Sequence, residues 1–138
     1  MAGLLLEVVS LVTSLATKSG KLNAVDEVSF KIDRGQSFGI VGESGSGKSV
    51  LSRTIIGVHA ENRIVSTKGE IIFEGRNLLS LPEKEMRKIR GREIAMVFQD
   101  PMSSLNPVKK IGEQIAEVLI QKLGLSRTDS RYRAIELM

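Results

Sequence analysis

Residues 42–49 read Gly-Glu-Ser-Gly-Ser-Gly-Lys-Ser, a complete G-x-x-x-x-G-K-[ST] pattern. No other stretch constrains the fold as tightly, because the pattern needs a buried strand before it and a helix after it. Gln36-Ser-Phe-Gly-Ile-Val41 is short and mostly apolar, which predicts that strand. Ser49 to Ile56 carries Val50, Leu51, Ile55 and Ile56, which predicts the helix. A flexible Gly/Ser linker is the competing reading, and the apolar flanks argue against it.

The chemistry of such a loop lies in its backbone. Successive N–H groups from Ser44 to Ser49 can line one concavity and hold phosphate oxygens. Gly42, Gly45 and Gly47 permit the tight path and the close approach of an anion. The helix adds its partly positive N-terminus. Lys48 supplies a charge for the β- and γ-phosphates, and the Ser49 hydroxyl is a ligand for Mg²⁺. The implied ligand is a nucleoside triphosphate with Mg²⁺. Its candidate contacts are Gly42, Glu43, Ser44, Gly45, Ser46, Gly47, Lys48, Ser49 and Val50.

Composition narrows the remaining classes. The 138 residues make about one domain, and 41% apolar with 26% charged residues is ordinary for a soluble globular chain. With four Phe, one Tyr and no Trp, the core must rest on Ile, Val and Leu. Absence of Cys excludes disulfides, iron–sulfur ligands and thiol nucleophiles, and suits a reducing cytoplasm. The net charge of +4 reads either as a nucleic-acid or anionic-lipid partner or as a solvated basic surface. The basic residues are dispersed with few aromatics among them, so the solvated surface is favoured and no nucleic-acid partner is expected. Leu4 to Val12 is apolar, but no Lys or Arg precedes it and Glu7 interrupts it. It reads as a first strand, not a signal peptide. No run approaches the roughly 18 apolar residues of a membrane span.

Further elements follow along the chain. A second strand is expected over 24–32, half-buried through Val28, Phe30 and Ile32, with the turn at Lys18–Lys21 before it. Residues 59–68 read as a polar loop and Glu70–Phe73 as a short strand. Ser80, Pro82 and Glu83 predict a helix start with Ser80 as cap and Glu83 closing the capping box, then a helix that carries Met86 and Ile89 and stops at Gly91. Glu93 to Phe98 reads as another buried strand. The spacing of Ile111, Ile115, Val118, Leu119 and Leu123 predicts a helix over 111–123, and Ser126 to Asp129 a second capped helix.

Gln99 closes the apolar run and precedes Pro101. Taken alone it is a loop glutamine. In the setting Met96-Val-Phe-Gln-Asp-Pro-Met-Ser-Ser-Leu-Asn-Pro107, with the phosphate loop upstream, the chain resembles the ATP-binding subunits of ABC transporters. The likeness is to their dipeptide, oligopeptide and nickel importer branch. Ala24 to Phe30, Gly39 to Ser49, Gly91 to Pro101 and Ser104 to Pro107 carry it, in order and over essentially the whole chain.

The resemblance implies an α/β fold: a P-loop NTPase core with an N-terminal antiparallel β-subdomain and the start of a helical subdomain. The β-subdomain and core fall in residues 1–100 and the helical part in 101–138. It implies ATP and Mg²⁺ as ligands, Lys48 and Gln99 as catalytic residues, and Ser49 and Gln99 at the metal. The implied partners are a second ATP-binding subunit, in a head-to-tail dimer, and two transmembrane permease subunits. The implied place is the cytoplasmic face of the cell membrane. Hydrolysis would drive import of peptides or related solutes. Departures are clear. The signature Leu-Ser-Gly-Gly-Gln, the Walker B aspartate, its neighbouring glutamate and the switch histidine do not occur, and His59 lies too early for that switch. This leads to the expectation of a C-terminal half missing, and of a nucleotide-binding fragment inactive alone as the alternative to a working ATPase subunit. The position matching the family's adenine-stacking aromatic is Leu15, so base stacking is expected to be weak. Neither a GTPase nor a small-molecule kinase fits as well, since no Asn-Lys-x-Asp motif is present.

Overall fold

A computed structural model describes residues 3–18, 20–58, 64–100 and 105–138. His59, the expected loop over 59–63, Ser19 in the first turn, and Pro101 to Ser104 lie outside the described residues. The chain divides into two compact units, Met1–Met86 and Arg87–Met138. Among the described residues no helix is long and apolar enough to cross a membrane.

The first unit is built on an antiparallel sheet. Its strands are β1 (Leu4–Thr17), β2 (Gly20–Asp33), β3 (Ile64–Phe73) and β4 (Arg76–Asn77), in the order β2-β1-β3-β4. β1 and β2 are both longer than expected, and β3 begins within the stretch expected to be loop. In β2 the expected trio Val28, Phe30 and Ile32 is half-buried.

β1 is paired on both sides, and a bulge resets its phase. Val8 faces Phe30 and Leu11 faces Val28, so β1 spends one residue more than its partner. The same extra residue appears against β3, between Val9 and Val12. Ser10 sits there with φ 44°, and its N–H donates to the Ser29 hydroxyl at 2.8 Å. The consequence is that Val8, Leu11 and Thr13 are all buried, although strict alternation would separate Val8 from the other two. Gly69 of β3 lies against this bulge. A Cβ there would come within 2.5 Å of the Val9 and Ser10 carbonyl oxygens, and its φ is +95°. Around these residues Val25, Ile71, Phe73 and Leu78 complete a core, each burial contributing about 1.5–3 kcal/mol for the larger side chains.

Helix α1 (Lys48–Ile55) packs on this unit through Leu51 and Thr54. Gly57, with φ 62°, turns the chain away after it. A 3₁₀ turn over Leu78–Ser80 follows the sheet, then α2 (Glu83–Ile89). Ser80 is not the cap expected: its hydroxyl donates back to the Asn77 carbonyl at 2.8 Å, and the helix begins after Pro82. Met86 and Ile89, which the helix carries, are buried.

Two expected strands also fail to form. Residues 36–41 and 93–98 form no strand, and Val41 is 94% and Val97 89% exposed. Phe38 is held by a stack on Phe30, with centroids 5.0 Å apart and planes 13° off parallel. Ile94 makes one isolated parallel bridge, with Arg90. The physical reason is that an apolar run becomes a strand only when a neighbouring strand takes its N–H and C=O groups. No described strand lies beside either run.

The second unit contains a helical hairpin of α3 (Ile111–Leu123), as expected, and α4 (Arg127–Glu136). Gly124 at φ 68° ends α3, and its N–H reaches the Ile120 carbonyl at 3.0 Å. Ser126 caps α4 as expected: its hydroxyl accepts from Asp129 N–H at 3.1 Å. Ala116, Leu119 and Ala134 are the buried contact, where two alanines let the helices approach. Gln114 fastens the preceding loop, accepting from Asn106 N–H at 2.9 Å and donating to the Lys109 carbonyl at 3.0 Å.

Candidate functional site

The loop at 42–47 is shaped by two left-handed glycines, Gly45 at φ 83° and Gly47 at φ 88°. Between them the Ser46 N–H closes on the Glu43 carbonyl at 3.2 Å. Gly47 is the residue that caps α1, and its carbonyl accepts the first helical bond, from Leu51 N–H at 2.8 Å. The N–H groups of Lys48, Ser49 and Val50 therefore stand in the first turn, ahead of any intrahelical acceptor. They make up the partly positive end of the helix, where an anion is favoured.

Two features press this loop onto the sheet. A Cβ on Gly47 would lie 1.9 Å from the Ala24 carbonyl oxygen of β2, so no other residue fits without displacing backbone. Two helical turns on, Thr54 meets Thr13 of β1, hydroxyl to hydroxyl at 3.2 Å. Thr54 also donates to the Val50 carbonyl at 2.8 Å, which leaves Thr13 as the donor of the pair. Both threonines are buried, and the pair satisfies both hydroxyls there.

Lys48 curls back over the loop. Its ammonium donates to the Gly42 carbonyl at 2.7 Å, the Glu43 carbonyl at 2.6 Å and the Ser46 hydroxyl at 3.2 Å. The charge is thus held against the loop's own oxygens rather than extended into solvent. The Ser49 hydroxyl is exposed one residue further along the same turn. Positive charge, N–H donors and a hydroxyl lie within one turn of chain, a donor set that fits phosphate oxygens and, through Ser49, a hard cation.

Of the residues singled out from sequence, Gly42 to Val50 are brought together here. Gln99 is described by itself. It lies in the second unit, exposed in a bend beyond residues 93–98. Leu15 is half-buried in β1, paired with Leu22 of β2 on one side and Ile64 of β3 on the other. Sequence reading missed the Ala24 carbonyl, the Thr13–Thr54 pair and the Ser46–Lys48 bond. No local signal could have found the first two, since each joins residues far apart in the chain.

Comparison with known proteins gives consistent matches. The ABC transporter family model matches residues 25–137. A dipeptide transport ATP-binding protein of Lactococcus lactis subsp. cremoris is 51% identical over 134 residues, 96% of this chain and 38% of that protein. An oligopeptide transport ATP-binding protein of Bacillus subtilis is 48% identical over 134 residues, 97% of this chain and 37% of that protein. One from Salmonella typhimurium is 41% identical over 137 residues, 99% of this chain and 40% of its own length. The chain spans about two fifths of the length of the curated relatives it matches. Among solved structures, a dimeric ATP-binding cassette in a post-hydrolysis state, bound to ADP and Pi, superposes with a TM-score of 0.75. It is 25% identical, and the match covers 95% of this chain and 54% of that one.

Proposed function

The chain belongs to the ABC transporter family, and we propose that it forms the phosphate-binding part of an ATP-binding subunit of a peptide importer. The observation that carries this reading is the Lys48 ammonium, held over a glycine loop at the start of α1. Gly42 to Val50 would hold the phosphates of ATP, Lys48 would offset charge on the β- and γ-phosphates, and Ser49 would ligate Mg²⁺. By the same resemblance, Gln99 would meet the metal and the attacking water. Bound ATP supplies the free energy of phosphoryl transfer to water; these side chains position and stabilise charge.

The transport role rests on the relatives, which are named as dipeptide and oligopeptide transport ATP-binding proteins. Pairing with a second cassette is supported by the dimeric solved neighbour, and the head-to-tail arrangement is what the sequence resemblance implies. Docking on two transmembrane permease subunits at the cytoplasmic face, and coupling of hydrolysis to import, complete the proposal. Calorimetric titration with ATP and Mg²⁺ tests its core. Wild-type chain should bind, and Lys48→Ala should lose most of that affinity. Equal affinity in the two proteins would remove the loop from the account.

A further inference from the structure

An ammonium carries three N–H donors, and in Lys48 all three are engaged. Two acceptors are main-chain carbonyls, of Gly42 and Glu43, at 2.7 and 2.6 Å. The third is the side chain of Ser46, the longest of the contacts at 3.2 Å and the only one that a single torsion can release. The Ser46 hydroxyl has a place made for it. A Cβ on Gly42 would lie 2.7 Å from Ser46 Oγ and 3.8 Å from Lys48 Nζ, so the bare Cα of Gly42 is what lets hydroxyl and ammonium meet.

We propose that Ser46 is a positioning residue: it holds the third donor of Lys48 where a phosphate oxygen would sit, and yields it when a polyphosphate binds. The inference rests on the nucleotide reading of the loop and adds a competitor inside it. The exchange runs toward the ligand because a phosphate oxygen is a charged acceptor and the hydroxyl a neutral one. It still lowers affinity, since one hydrogen bond to a cation is given up for each ligand bound. The Gly42 and Glu43 carbonyls need not move, so Lys48 stays aimed throughout. A nucleotide without a β-phosphate never calls on that donor and escapes the competition.

The test displaces a fluorescent nucleotide from the chain with ATP, ADP and AMP, for wild type, Ser46→Ala and Ser46→Thr, with circular dichroism confirming the fold of each. Ser46→Ala should tighten ATP and ADP by about threefold to tenfold and leave AMP unmoved. Ser46→Thr restores the hydroxyl and should return both to wild-type values. Weaker ATP binding in Ser46→Ala would make the hydroxyl a phosphate ligand and overturn the proposal. An equal change for AMP would make it a general loop effect, with the same consequence. If wild type binds ATP, Lys48→Ala does not, and Ser46→Ala changes nothing, this inference alone falls. If wild type binds no nucleotide, the underlying reading falls and takes this one with it.

Discussion

β1 and the segment 36–41 are both rich in β-prone apolar residues, yet one is the centre of a sheet and the other is exposed. β1 has β2 on one side and β3 on the other, and its Val8 and Leu11 are buried. The segment 36–41 has one stacked ring, Phe38 on Phe30, and leaves Val41 open. Hydrophobic composition is similar; the difference is whether a neighbour accepts the backbone hydrogen bonds. Desolvating an unpaired amide offsets the gain from burying a valine, so the run stays out of a core that it could otherwise join.

The largest effect that would sharpen this contrast is in the sheet core. Ile71→Ala should destabilise the chain by about 2–5 kcal/mol, because Ile71 is fully buried beside β1. Urea unfolding measures it, and a loss near zero would mean that the sheet is not the stable part. Next comes the joint between sheet and phosphate loop. Thr54→Val keeps the shape but leaves the buried Thr13 hydroxyl without its acceptor, at a cost of about 1–3 kcal/mol. The paired variant Thr13→Val/Thr54→Val should recover part of it, since both polar groups then leave together. No recovery would show that the threonines act separately.

Within the site the same contrast separates the phosphate end from the base end. Gly47 is pressed against β2 and Lys48 has three acceptors, whereas the position matched to base stacking is the half-buried Leu15. ATP and GTP affinities should therefore differ by less than tenfold, or about 1.4 kcal/mol. Calorimetry with both nucleotides checks this, and a strong preference for ATP would reveal a base contact elsewhere. The smallest effect belongs to the exposed run. Val41→Ala should change stability by no more than about 0.5 kcal/mol. A loss as large as that of Ile71→Ala would break the comparison and place 36–41 in a folded sheet.

Much of the fold was legible because it depends on local signals. Ser126 announced its helix through a side chain that bonds three residues on, and Ile111 to Leu123 did so through helical spacing. The loop at 42–49 was legible for the same reason: its glycines and lysine act within one turn of chain. The bulge at Ser10 was not, because the sequence there reads as unbroken strand and only the registers with β2 and β3 reveal the extra residue. Gly69 takes its meaning only from the Val9 and Ser10 carbonyls that lie against it.

The sequence by itself determined that a glycine loop with Lys48 would open a helix, that the core would be aliphatic, and which family the whole pattern resembles. Only the tertiary structure decided which apolar runs became strands, how Thr13 and Ala24 seat the loop, and that Ser46 takes the last donor of Lys48. The division has a physical cause. Turn geometry and helical periodicity are set within a few residues, whereas a strand, a buried hydroxyl pair and a close backbone approach each need a partner far away in the chain.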